Sequence, residues 1–198
     1  EEGNISTKSW SSVALGAIGP VQEVDTVAIL VNNLDRFTHI EKERALIGLA
    51  NMGRAAEHVV DRVRTMMNAE DQRSSVMAAW TVYRLTGEPE EPVTLLRSLL
   101  DQDSYRIEAS SMLGNFGSDA APAVEDLMAL LDHHDESVRE NAAISLGRIG
   151  PAAAGAVSDI RKLESDPDAL IRQAATEAIA RIENPATDPP TTQPTDSP

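Results

Sequence analysis

Along the stretch "ESVRENAAISLGRIGPAA" (136 to 153) the apolar residues fall at Val138, Ala142, Leu146 and Ile149, the spacing of one face of a helix. An altered copy, "DALIRQAATEAIARIENPA", follows at 168 to 186. With Ile149 as an anchor, equivalents recur at Ile18, Met52, Leu85, Phe116 and Ile182, separated by 34, 33, 31, 33 and 33 residues. Three residues before each anchor stands Leu15, Leu49, Val82, Leu113, Leu146 or Ile179, and seven before it a small residue, Ser11, Ala45, Ala78, Ala109, Ala142 or Ala175. A small residue repeated at one level means that a neighbouring helix approaches closely there. The residue two before the anchor is also small (Gly16, Ala50, Gly114, Gly147, Ala180) except at Tyr83.

The residues just after the anchors, Gly19, Gly53, Thr86, Gly117, Gly150 and Glu183, read as helix ends, because glycine accepts the left-handed conformation that stops a helix. Pro20 and Pro151 follow directly and block continuation. Asp71, Asp103, Asp135 and Asp168 precede the stripes and are candidates for helix N-caps. Ten residues before the anchors come Lys8, Lys42, Ser75, Arg106, Arg139 and Arg172, which suggests a ladder of basic side chains bridging the starts of adjacent helices, each rung weak if exposed. Between the stripes lie further amphipathic segments, clearest in "APAVEDLMALLDHHD" at 121 to 135. The unit is thus a helical hairpin, and since neither helix can bury its stripe alone, stacked hairpins must share one core.

The predicted fold is all-α, a right-handed α-solenoid of about five to six hairpins over residues 1–184. Its second helices lie near 6–18, 40–52, 73–86, 105–116, 137–149 and 170–183. Residues 185–198 hold five Pro and four Thr with no large apolar side chain and predict an extended or disordered tail.

The pattern Asp-x-x-Val-Arg-x-x-Ala-Ala-x-x-Leu-Gly-x-Ile-Gly-Pro-x-Ala in 135 to 153, weaker in 103 to 121 and 168 to 186, resembles the short bacterial HEAT repeats first noted in phycobilin lyases. The earlier copies depart from it, with Glu41, Ser74 and Ser75 replacing an apolar–basic pair. The resemblance implies a scaffold that binds a protein partner on the concave face lined by the second helices. It also implies an alternative, an accessory or lyase-type enzyme handling a bilin-like cofactor in that groove.

Composition narrows the choice. Aromatics are 3% of the chain against 41% hydrophobic residues, which suits closely packed helices. A net charge of −15 repels phosphate backbones and anionic lipid heads, so nucleic acid is excluded as a general partner and a basic protein partner is favoured. No apolar run approaches the ~20 residues of a membrane span, so direct insertion is not expected. There is no cysteine for thiolate chemistry. The start without Met or leader pattern, the missing cysteine and the Pro/Thr tail lean toward an exported bacterial protein.

Candidate chemistry is sparse. His133, His134 and Asp135 resemble one half of the His–Glu pairs of a HEAT-like di-iron hydroxylase, but no second pair occurs at an equivalent turn, and His39 and His58 are no obvious complement. The "DQD" at 101 to 103 and "DPD" at 166 to 168 lack the glycine and closing Glu of a calcium loop, so capping is the favoured reading. No catalytic residues, cofactor or metal are predicted. Most unusual is the cluster Met77, Trp80, Tyr83 and Arg84 on one predicted helix, beside its core stripe. Its composition is that of a binding hot spot, and these four are the predicted partner contacts.

Overall fold

The computed structural model describes residues 26–36, 39–68 and 72–185. The first predicted second helix (6–18, with Lys8, Ser11, Leu15, Gly16, Ile18, Gly19 and Pro20), Asp71 and all but the first residue of the predicted tail lie outside them. Two compact units are present, Glu1–Pro92 and Val93–Pro198.

In the first unit, α1 (Thr26–Arg36) packs on α2 (His39–Met52), and the 3-10 segment Gly53–Val59 leads into α3 (Val60–Met67), which packs on α4 (Gln72–Thr86). Helix α5 (Glu90–Leu99) begins at the end of this unit. The second unit holds α6 (Arg106–Asn115), α7 (Val124–Ala129), α8 (Glu136–Ile149), α9 (Val157–Lys162) and α10 (Ala169–Glu183). Here 3-10 segments Gly117–Ala123 and Gly150–Ala156 introduce α7 and α9. Second helices pack on one another, α2 on α4 in the first unit, and α6 on α8 on α10 in the second. The described residues contain helices and turns without strands.

The stripe that predicts the helices is the core. Ala45, Ala78, Ala109, Ala142 and Ala175 are each 0% exposed, and the anchors Met52, Leu85, Phe116, Ile149 and Ile182 are buried with the aliphatics three residues before them. Gly53, Gly117 and Gly150 adopt positive φ (53°, 57° and 74°), the geometry that ends each second helix. The third copy differs from expectation. Thr86 remains helical, and the left-handed residue is Gly87, at φ 77°, whose N–H donates to the Tyr83 carbonyl at 2.7 Å. After three of these glycines the chain turns at once into the next hairpin, burying Ala56, Ala120 and Ala153 completely.

The caps separate into two kinds. Asp135 accepts from the Ser137 N–H at 2.8 Å, and Asp168 from Leu170 and Ile171 at 2.7 and 3.3 Å. Asp103 is not a cap. Its carboxylate pairs with Arg106 at 2.7 Å, and α6 starts after Tyr105 with no side-chain cap. The reason is register. The carbonyl of Gln102 accepts the Arg106 N–H at 2.9 Å as those of Asp135 and Asp168 accept from Arg139 and Arg172, so Gln102 stands at their repeat position, while the helix itself begins three residues later, after Tyr105.

Close helix contact is concentrated where a residue four before one anchor enters the gap between positions six and two before the previous anchor. At Gly147 an added Cβ would sit 2.7 Å from the Ala178 Cα, and at Gly114 3.0 Å from the Ser145 Cα. Glycine is therefore required at Gly147 for close packing inside a helix, despite its low helix propensity. Ser110 and Ser145 bond across the same gap in the second unit (3.4 Å), and Thr81 reaches the Leu46 carbonyl in the first (3.2 Å).

Candidate functional site

The basic ladder is built by arginines that close one turn and reach into the next. Arg139 donates to the His133 carbonyl (2.8 Å) and to both carboxylate oxygens of Asp166, 27 residues on, at 3.0 and 3.3 Å. Arg172 donates to the carbonyls of Asp166 and Pro167 at 2.7 and 2.8 Å. Arg106 donates to Leu100 at 2.7 Å and lies 3.2 Å from the His133 ring. The Arg139–Asp166 rung is not the exposed, weak pair that the sequence suggests, for its side chains are only 15% and 7% exposed. A bidentate, sheltered pair is among the stronger ion pairs. The Arg139 hydrogen bond and the Asp168 backbone N–H hold the Asp166 carboxyl below its ordinary range, while the same bond to Asp166 raises Arg139. Where the third copy has Ser75, the buried hydroxyl donates to the Met66 carbonyl at 3.2 Å.

This ladder absorbs the candidate metal groups. His133 Nδ1 accepts from the Asp135 backbone N–H at 3.1 Å, and Nε2 lies 3.2 Å from the Arg106 Nη1. His58 is exposed on a 3-10 segment, and His39 opens α2. Asp166 and Asp168 serve Arg139 and the start of α10, whereas Asp103 and the Asp101 carbonyl serve Arg106. Among the described residues no group of three His, Cys, Asp or Glu side chains could hold a metal ion. No helix among them is long and apolar enough to cross a membrane.

Met77, Trp80, Tyr83 and Arg84 all lie on α4 and are all half-buried, while Ala78, Ala79, Thr81, Val82 and Leu85 on the same helix are buried. Trp80 and Tyr83 meet with ring centroids 5.7 Å apart and planes tilted by 45°. The Arg84 guanidinium carbon lies 5.6 Å from the Trp80 ring centre, within cation–π range. Tyr83, large where other copies are small, is thus accommodated by packing on Trp80. The Arg84 Nε is buried without a hydrogen-bond partner among the described residues.

In the second unit the corresponding repeat positions line a shallow hollow between α8 and α10, formed by Ile144, Arg148, Ala174, Glu177, Ala178 and Arg181. Ile144 and Glu177 stand five before their anchors, as Trp80 does; Ala174 stands eight before, as Met77 does; Arg148 and Arg181 stand one before, as Arg84 does. Reading the cluster on α4 alone missed this hollow. The cue in the sequence is Arg84, Arg148 and Arg181 at one repeat position, with Asn51 and Asn115 at the same place in other copies.

Residues 103–180 match the family of HEAT repeats. No curated protein matches the sequence. Among solved structures, an engineered protein superposes with a TM-score of 0.55 at 22% identity, over 92% of each chain. A second engineered protein gives 0.53 at 20% identity, over 91% of this chain and 56% of its own. A designed armadillo repeat protein gives 0.52 at 16% identity, over 92% of this chain and 96% of its own. At such identities the likeness concerns the fold. The later copies, residues 103–180, are thus similar in sequence to HEAT repeats, and the chain has the all-α fold of a solenoid of helical hairpins.

Proposed function

We propose that this chain is a non-catalytic interaction scaffold that holds a protein partner against the exposed face of its second helices, with Met77, Trp80, Tyr83 and Arg84 as the contact. The carrying observation is that these four stay half-buried on a helix whose other large apolar side chains, Val76, Val82 and Leu85, are buried, and that Met77, Trp80 and Arg84 stand at repeat positions that line the hollow in the second unit. Two aromatic rings braced on each other and capped by a guanidinium offer a large contact area with little side-chain entropy left to lose. Among the described residues, Asp135 and Asp168 serve caps, and Asp103 and Asp166 pair with ladder arginines.

The test is affinity capture from an extract of the source organism, comparing the intact chain with a Trp80→Ala/Tyr83→Ala variant shown by circular dichroism to remain folded. A protein retained by the intact chain and lost by the variant is the expected result. Equal retention by both would remove the site from α4.

A further inference from the structure

The chain carries 32 acidic residues against 17 basic ones, so an arginine near the surface normally finds a carboxylate. Many do. Arg62 pairs with Asp35, Arg64 with Glu91, Arg97 with Asp126, Arg106 with Asp103, Arg139 with Asp166, and Arg161 with Glu183. Arg84 and Arg148 belong to no such pair among the described residues, and both stand immediately before an anchor. Each unit therefore keeps, on its second-helix face, a guanidinium to which the chain's own acids are not matched.

Arg148 is the better defined of the two. Its side chain is exposed, yet its stem runs over the bare backbone at Gly114, where an added Cβ would lie 3.2 Å from the Arg148 Cδ. Its head is steadied by donating from Nη1 to the Asn115 side-chain oxygen at 3.2 Å. Nε and Nη2 have no acceptor among the described residues. Beside it the hollow presents Ile144, Ala174 and Ala178, with Arg181 as a second cation and Glu177 as the one acid. That acid already accepts from the Gln173 amide at 2.8 Å. A guanidinium anchored at one nitrogen with other donors unmatched is prepared for a carboxylate, since less freedom is lost on binding.

We infer that Arg148 receives a carboxylate of an acidic, extended protein segment whose neighbouring apolar side chain sits in the Ile144–Ala174–Ala178 hollow. The proposal rests on the reading of the second-helix face as the binding surface and names its partner's chemistry. Summed over the chain, −15 favours a basic partner at long range. At the hollow the lining holds two arginines against one glutamate, and short-range pairing decides what docks. Phosphate polyanions would meet the full repulsion of the chain, whereas one or two carboxylates on a short segment meet mainly the local arginine.

The test is a fluorescence-anisotropy titration of the full chain with a labelled peptide alternating Glu and Leu between Gly ends, and with its Gln-for-Glu counterpart. The Glu peptide should bind, about tenfold more tightly than the Gln peptide, and Arg148→Gln should remove about that tenfold. Arg161→Glu, a charge change at an arginine already paired elsewhere, should stay within about twofold. Equal binding of both peptides, an unchanged Arg148→Gln variant, or no binding of the Glu peptide would overturn the proposal. Failure of peptide binding while capture still depends on Trp80 and Tyr83 would sink this inference alone. Arg148-dependent peptide binding with capture indifferent to those aromatics would sink the α4 contact and support the carboxylate site.

Discussion

The two units solve one problem with different chemistry. In the second, Arg106, Arg139 and Arg172 each close their own turn by donating to its carbonyls, and Asp166 joins two rungs, its sheltered carboxylate accepting from Arg139 and its backbone carbonyl from Arg172. In the first, at the same repeat position, the buried hydroxyl of Ser75 donates to the Met66 carbonyl. The core stripe is equally buried in both, from Ala45 to Ala175. Apolar periodicity is thus enough to stack the hairpins, and the polar ladder is an added device that fixes register in the later copies. The family match spans 103–180, the stretch that carries Arg106, Arg139 and Arg172.

The largest effect should come from removing the shared rung. Asp166→Ala leaves Arg139 sheltered without its bidentate partner and the Asp168 N–H without its acceptor, and should cost about 2 kcal/mol in urea unfolding. Ser75→Ala in the first unit should cost about 1 kcal/mol or less. Equal losses would erase the distinction between the units.

The pH dependence sharpens the same point. Because Asp166 is held below its ordinary value of 3.8 in the folded chain, its contribution is complete above that value and is lost as pH falls through the lower folded one. The stability gap between the natural chain and Asp166→Asn should therefore be flat near neutrality and close in acid. A gap that widens on acidification would contradict the sign.

Glycine tests the packing half of the comparison. Gly147→Ala gains helix propensity but drives a Cβ to 2.7 Å from the Ala178 backbone, so a net loss of about 1–2 kcal/mol is expected. Gly155→Ala meets nothing within 4 Å and should be neutral or slightly stabilising. The smallest change expected is a gain. Gln102→Asp places a carboxylate at the repeat position that Asp135 and Asp168 occupy, where it would extend the start of α6 by accepting backbone N–H groups, and should add about 0.5–1 kcal/mol, read as a raised Tm.

Much of the fold was legible because burial imposes a regular spacing. Ala142, Leu146 and Ile149 mark one face whichever partner covers it, and Asp135 and Asp168 precede their stripes at one distance. Asp103 misled because it stands one residue nearer its anchor than Asp135 and Asp168 do to theirs, and it is Gln102 that shares their repeat position. The depth of the Arg139–Asp166 rung was not legible, since exposure depends on the turn folding over it. At the candidate site the unusual side chains on α4 stood out by type. Arg148 did not, because an arginine becomes notable only when its lack of a carboxylate can be seen.

The most direct test of the central claim, that the second-helix face does the binding, is photo-cross-linking from two single positions on the full chain. One probe replaces Met77 on α4; the other replaces Glu57, exposed on the 3-10 segment that opens the first helix of the next hairpin. A protein adduct formed from position 77 and absent from position 57 is the predicted result. Adducts formed from position 57 and not from position 77 would contradict it.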